Sequence, residues 1–475
     1  MKPETADVLV VGGGPAGLMA AVRAGDLGAR TVLVTRDALG GMAAHDGPVP
    51  VRTLAHAARL MRDARQLGRY GVAVSEPVLD YPRLLARVRE VVVDVRAHAA
   101  LSRQIEAAGV IVHERAGPAR LVDSRTLESA NGTRVRADKI IVCTGGASRR
   151  LSIPGFELTA THSDAWSLTS VPPSMLVIGG GATGVQVASI FNAFGARVSL
   201  FQAAPRILPT EDEDVSLAVA EALRSAGIVV REGFGSIESF ERTPSGVRMV
   251  FEEDGVRDSA EAALAVAAVG WTADTAGLGL AGAGVGTDAR GFVQVDAHLR
   301  TSAPHVFAAG DVTGRLMLVP QALQDGFVAA TNAVRGPAMA TDRNVVSPIG
   351  SFTDPEYAQA GLTEASARAT RDVVVTVVRF DSTTRTIIDG RTSGFCKLIV
   401  DRATHTIVGC HVVGERAVEI VQTAAIAIAA GMRVDELARI PLSFPTYAGI
   451  LGRAAAMTAR QLNVEAGPAR FAELL

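Results

Sequence analysis

One plan is used twice in this chain, and it constrains the fold more than any other feature. Asp7 to Arg36 reads DVLVVGGGPAGLMAAVRAGDLGARTVLVTR, and Ser174 to Gln202 reads SMLVIGGGATGVQVASIFNAFGARVSLFQ. Each opens on an apolar run, passes through Gly-x-Gly-x-x-Gly, and continues through small residues to Gly-Ala-Arg and a β-branched run. A strand, a glycine turn, a helix and a second parallel strand satisfy that order, which is the nucleotide-binding βαβ unit. One fingerprint alone is weak; two, each framed by strand and helix signals, form a strong joint signal. The expected fold class is therefore α/β, with two Rossmann-like nucleotide-binding domains. In the first copy Gly12 allows the tight turn, Gly14 lets backbone approach a pyrophosphate, and Gly17 permits close helix–strand packing. The helix N-terminus adds N–H donors and a positive dipole end for phosphate. Gly179, Gly181 and Gly184 repeat these roles.

At 475 residues the chain needs two or three domains, and 48% apolar content with 48 glycines suits an α/β protein rich in tight turns. Lys+Arg 47 against Asp+Glu 49 offers no electrostatic reason for a nucleic-acid or anionic-membrane partner. The apolar run Val8 to Val11 is cut by Gly12 to Gly14 and Pro15, so it reads as a strand rather than a signal peptide. No stretch reaches the length of a membrane span, and a cytoplasmic enzyme is expected. Cys143, Cys396 and Cys410 are scattered without metal or redox spacing and read as buried hydrophobes. Ile140 to Gly146 (IIVCTGG) reads as a buried strand entering a glycine turn, and Thr301 to Asp311 as a strand ending in Gly-Asp. From Ser351 the character changes. Alternating β segments at 373–380 and 395–400 and an Ala/Ile-rich helix at 417–431 predict a final α+β domain, with Pro-Ile-Gly at 348–350 as its boundary.

Between the two copies' strands lies Gly40 to Arg52, GGMAAHDGPVPVR. With the two fingerprints, it resembles the flavoprotein disulfide reductases, the class I pyridine nucleotide-disulfide oxidoreductases that include dihydrolipoamide dehydrogenase, mercuric reductase and soluble transhydrogenase. In that family the segment runs Gly-Gly-Thr-Cys-x-x-x-x-Cys-x-Pro-Ser-Lys, and here Ala43 and Pro48 stand at the cysteine positions. The resemblance implies an FAD-binding domain in two parts, 1–153 and 271–346, an NAD(P)-binding domain at 154–270, and an interface domain at 347–475 that makes a homodimer. It implies FAD against Gly12, Gly14, Gly17, Thr35, Arg36, Gly41, Arg52, Gly117, Thr144, Gly145, Asp311, Leu318 and Val319. Asp311 would meet the ribityl chain, and Gln324-Asp325-Gly326 opens a helix much as the family's sequence does. NADPH or NADH is implied at Gly179, Gly181, Ala182, Thr183, Gly184, Gln202 and Gly270.

Several family positions are changed. Thr35 and Gln202 stand at the same offset, 23 residues, from Gly12 and Gly179, where an acid meets the adenosine ribose. Asp37 can substitute for the first, and Arg206 stands near the second as a candidate phosphate partner. The family's lysine and glutamate beside the flavin become Arg52 and Gln186, a fixed cation with a neutral amide. Ala182 stands where many members have a nicotinamide-covering tyrosine. The family's His-Pro-Thr and following glutamate become Phe444-Pro445-Thr446 and Gly449. Both halves of the thiol machinery are gone together. His45, Arg52, Gln186 and Tyr447 are the expected catalytic residues, with His45 read either as an acid or as a loop-stabilising hydrogen bonder. The expected activity is an FAD-dependent NAD(P)H oxidoreductase that passes electrons to a small-molecule, quinone-like acceptor. Transhydrogenation and a non-catalytic flavin-bound dimer are the alternatives.

Overall fold

The computed structural model describes residues 3–98, 101–341 and 346–465, so residues 466–475 of the expected interface segment lie outside the described residues. The chain forms two compact units. The first combines Met1–Leu54, Asp80–Arg149 and Gly270–Arg343, and the second combines Ala55–Leu79, Arg150–Val269 and Asn344–Leu475.

The first unit is built on a parallel sheet. Strand Glu4–Val11 lies between Thr31–Val34 and Arg134–Val142, and Ile111–His113 extends the sheet beyond Thr31–Val34. The far half of Arg134–Val142 pairs in parallel with Val306–Ala308, while its near half pairs antiparallel with Thr126–Ser129. Val8 to Val11 are all buried, as a central strand covered on both faces requires. Helices Pro15–Asp26 and Val319–Arg335 cover one face through Ala20, Ala21, Ala24, Ala329 and Ala330. Small side chains let the two helices meet closely. A Cβ on Gly326 would lie 2.2 Å from the Ala16 carbonyl oxygen, so a methyl group there would separate them. Arg23 seals their far end, its guanidinium 4.3 Å over Phe327 and its Nε donating to Thr331.

The second unit holds a second parallel sheet, ordered Val229–Glu232, Arg197–Gln202, Ser174–Ile178, Leu264–Ala267 and Ala160–Thr161. An antiparallel three-stranded sheet follows the chain from Ser236–Thr243 to Val256–Ala262. The C-terminal sheet is antiparallel, in the order Ile349–Ser351, Tyr357–Gly361, Ile407–Val413, Phe395–Asp401, Val373–Arg379. Ile349 and Gly350, expected at a boundary, are thus already in its edge strand. The predicted helix runs Ala417–Ala429 and covers one face of this sheet together with Gly449–Gln461. Cys396, Leu398, Cys410 and Val412 point to those helices. The opposite face carries Lys397, His411 and Gln359, which are direct cross-strand neighbours. Alternating polarity there does not mean a wet face: Lys397 is 1% and His411 0% exposed.

Candidate functional site

In the first unit the fingerprint glycines are steric necessities. Gly12 has φ +110°, and a Cβ on it would sit 2.2 Å from the Cys143 carbonyl oxygen. A Cβ on Gly17 would lie 1.8 Å from the Gly12 oxygen. Gly14 has space before it and forms the N-cap of Pro15–Asp26, where no side chain caps the helix. Its first-turn N–H groups are therefore left for a ligand or water. Gly41 closes on this turn, its Cα 4.0 Å from the position of a Gly14 Cβ, and Gly40 N–H donates to Gly13 at 2.8 Å.

Thr35 is buried against the same turn, while Arg36 pairs outward with Asp37 and Asp274, each at 3.0 Å. Gly117 N–H binds the Arg36 carbonyl at 3.2 Å. On the other side, Thr144 Oγ1 is buried with no hydrogen-bond partner, and Gly145 turns with φ +84°. Gly310 brings Asp311 round beside Gly146, and burial pushes its carboxyl up, with neighbouring Asp325 adding to the rise. Asp325 is itself raised by burial, although Gln321 donates to it at 2.8 Å. Leu318 and Val319 open the helix Val319–Arg335, again without a side-chain cap.

The segment Gly40 to Arg52 is helical rather than an open loop. Gly41–His45 forms one short turn and Pro48–Gln66 a long helix, joined through Asp46 and Gly47 N–H groups bonded to Met42. Ala43 lies in the first and Pro48 starts the second. His45 is exposed, and its Nε2 lies 3.2 Å from the Leu39 carbonyl oxygen. A carbonyl only accepts, so in this contact His45 Nε2 is the donor. Arg52 is half-buried in the long helix. None of the three cysteines is within this segment, and all are buried. Burial drives the Cys143 thiol far above its ordinary range, away from thiolate reactivity.

The second unit repeats the glycine geometry. Gly179 has φ +103°, and a Cβ on Gly184 would meet the Gly179 oxygen at 1.8 Å. Gly181 has nothing within 4 Å of such a Cβ and is the uncapped N-cap of helix Ala182–Ala193, whose first residues are Ala182 and Thr183. Gly180 N–H donates to Gln202 Oε1 at 2.7 Å. Arg206 is folded back onto its own turn, donating to the carbonyls of Leu208, Pro209 and Glu211 at 3.2–3.4 Å. Gln186 donates to Ala182 at 2.9 Å and accepts from Phe352 N–H at 3.4 Å. Gly270, expected with this site, begins the return into the first unit, and its carbonyl accepts from Arg149 N–H at 2.9 Å.

Tyr447 lies in a closed cluster, its hydroxyl donating to Asp389 Oδ2 at 2.8 Å and Arg385 5.6 Å from its ring centroid. Burial and the Asp389 charge push the phenol upward, so its proton is held rather than offered. Phe444 is 64% exposed and Gly449 opens the last helix. Sequence reasoning missed a buried lysine in the same unit. Lys397 Nζ meets Asp212 at 2.9 Å, Asp214 at 2.8 Å and Glu364 at 2.5 Å. Its ammonium sits among the three carboxylates and offsets one of their three charges. The one signal in the sequence was a lysine inside the apolar strand FCKLIVD.

Two family models match this architecture. Residues 6–326 match the pyridine nucleotide-disulphide oxidoreductase family, and residues 347–455 match its dimerisation domain. The chain belongs to this family. It is 32% identical over 466 residues to dihydrolipoyl dehydrogenase 2 of Haloarcula marismortui, covering 95% of this chain and 96% of that one. It is also 32% identical over 462 residues to a mercuric reductase of Streptomyces lividans, covering 94% and 95%. Among solved structures, the HOCl-induced flavoprotein disulfide reductase RclA from Escherichia coli superimposes with a TM-score of 0.84 at 25% identity, over 95% of this chain and 99% of that one. Members of the pyridine nucleotide-disulphide oxidoreductases are FAD-dependent and use NAD(P)H. The first site fits an FAD: Gly12 and Gly17 leave no room for side chains, Gly14 opens on free space, and the uncapped helix N-terminus and the orphaned buried Thr144 hydroxyl lack polar partners. The dimerisation domain supports a homodimer. No helix among the described residues is long and apolar enough to cross a membrane.

Proposed function

We propose that this chain is an FAD-dependent NAD(P)H oxidoreductase that delivers electrons to a non-disulfide, quinone-like acceptor. One observation carries this reading. Both glycine cradles of the family are intact, yet the segment Gly40 to Arg52 has no cysteine and the chain's three thiols are all buried elsewhere. Bound FAD supplies the redox chemistry, accepting a hydride equivalent from NAD(P)H and releasing electrons to the acceptor. The chain's own residues bind, orient and set charge. The Gly12 to Gly17 turn holds the FAD pyrophosphate, Asp311 and Thr144 supply polar contacts along the nucleotide, and the Gly179 to Gly184 turn holds the pyridine nucleotide. Arg52 brings a guanidinium to this segment and favours anionic species beside it. His45 shapes the short helix through Leu39, while Gln186 and Tyr447 act through position, their polar atoms being bonded to neighbours. In the family's terms, Ala43 and Pro48 replace the two thiols and leave no disulfide between the flavin and an acceptor.

Transhydrogenation between NADH and NADP is the second reading, favoured by the neutral Gln202 at the second nucleotide turn. Mixing NADPH with a thio-NAD analogue separates the two readings, since only a transhydrogenase gives the spectral change without a quinone. For the main reading, the test is an acceptor screen with each reduced nucleotide. Quinones and dyes are expected to be reduced while lipoamide and glutathione disulfide are not. Disulfide reduction lost on replacing Cys143, Cys396 or Cys410 would refute it.

A further inference from the structure

The buried lysine of the dimerisation domain grips the fold that carries the second glycine turn. Lys397 Nζ donates to Asp212 Oδ1 at 2.9 Å, and Asp212 Oδ2 accepts from Glu364 N–H at 2.8 Å. Both oxygens of this 4% exposed carboxylate are therefore held by the C-terminal sheet and the short helix Glu364–Arg368. Burial alone would lower the lysine's pKa, but hydrogen bonds to Asp214, Glu364 and Asp212 outweigh it, so the group stays an ammonium.

Asp212 ends the segment that leaves strand Arg197–Gln202, and this segment is bonded into the glycine turn. Leu208 N–H donates to the Gly180 carbonyl at 2.8 Å, while Gly180 N–H donates to Gln202 at 2.7 Å. Both peptide groups of Gly180 are thus fixed by residues 202–208. A Cβ on Gly180 would lie 2.7 Å from Ile207 Cγ2, so the segment rests against the turn without slack. Glu211 N–H bonds back to the Leu208 carbonyl at 3.0 Å, and Arg206 donates to the carbonyls of Leu208, Pro209 and Glu211. Leu208 has φ +47°, a left-handed conformation that a leucine keeps only when its surroundings impose it. An anchor is needed at the segment's far end, and Asp212 is that anchor. From the ammonium to Gly180 the path runs through Asp212, Glu211 and Leu208, each link a hydrogen bond or a peptide bond.

We infer that Lys397 is a positioning residue of the pyridine-nucleotide site. From the dimerisation domain it holds Asp212, and through Asp212 the segment 203–212 that sets the Gly179 to Gly184 turn for a dinucleotide. It acts through this segment rather than on the nucleotide. The inference rests on the reading of this turn as the NAD(P) site.

Calorimetric titration of the FAD-loaded dimer with oxidised NAD and with NADP tests it without turnover. Lys397→Met should weaken whichever dinucleotide the wild-type protein binds by on the order of tenfold. FAD affinity, followed by flavin fluorescence on release, should stay within about threefold, since the FAD turn belongs to the other compact unit. Asp212→Ala cuts the same path and should match Lys397→Met. Glu364→Gln removes another of the ammonium's carboxylates while both hydrogen bonds of Asp212 stay, so dinucleotide affinity should remain within about threefold. A purely structural cost would not separate these two carboxylates. Should Lys397→Met fail to fold, the comparison of Asp212→Ala with Glu364→Gln decides. Undiminished dinucleotide affinity in Asp212→Ala or in folded Lys397→Met, an equal loss in Glu364→Gln, or a parallel fall in FAD affinity would each overturn the inference. Wild-type protein that binds neither dinucleotide would overturn it together with the assignment of the site, whereas the other outcomes leave that assignment standing.

Discussion

Glu211 gives a prediction that can be worked through from its surroundings. Its carboxyl is 7% exposed and Oε2 has no hydrogen-bond partner. Burial raises its pKa to about 7, Arg206 pulling it down and the adjacent Asp212 pushing it up. Tyr357, raised far upward by its own burial, feels the Glu211 charge in turn. An acid whose folded value lies above its unfolded one holds its proton longer in the native state. Below the unfolded value of 4.5 both states are protonated, and the group is neutral in the balance. As pH rises from there to 7 the unfolded chain gains stability by releasing a proton that the folded chain keeps, and above 7 the penalty is complete. The full difference is about 3 kcal/mol against folding. Glu211→Gln keeps size and polarity but cannot ionise. Chemical denaturation of the FAD-loaded protein at one fixed chain concentration, at pH 5.5 and at pH 8, measures the difference. The variant's stability relative to wild type should rise by about 2 kcal/mol between those two conditions. A gap that is flat with pH, or that narrows toward pH 8, refutes the burial of an unpartnered Glu211.

Other outcomes follow from the same geometry. Gly184→Ala places a methyl carbon 1.8 Å from the Gly179 oxygen, so the turn must open, and nucleotide affinity should fall at least about tenfold in a titration. Lys397→Met strips the cation from Asp212, Asp214 and Glu364 and should cost roughly 3–5 kcal/mol in denaturation. The loss should shrink when the same carboxylates are neutralised together with Lys397. Cys143→Ala should leave quinone reduction within about twofold of wild type in steady-state assays, since its thiol is buried and poorly ionised.

The glycine turns were legible because their chemistry is local. Gly12, Gly17, Gly179 and Gly184 leave no room for a side chain, so residue identity reveals backbone path. The uncapped helix starts at Gly14 and Gly181 follow from the same stretch of chain. What the sequence hid were contacts between distant segments. Lys397 alternates correctly for a solvent-facing strand position, yet Asp212, 185 residues away, buries and neutralises it. Arg206 looked available for phosphate because nothing in its neighbourhood says that three carbonyls of its own turn will face it. His45 and Tyr447 are titratable groups near altered motifs, and each has a hydrogen bond that only the fold reveals. Composition and spacing do not encode a quinone-like acceptor, since a flat apolar substrate needs no fixed set of polar residues.

Anaerobic titration of the purified yellow protein with NADH and with NADPH, followed by addition of a quinone, tests the central claim most directly. Either nucleotide should bleach the flavin absorbance, and the quinone should restore it with every cysteine free to be replaced by alanine. Flavin that stays oxidised with both nucleotides, or that returns its electrons only to a disulfide through one of the three thiols, would contradict it.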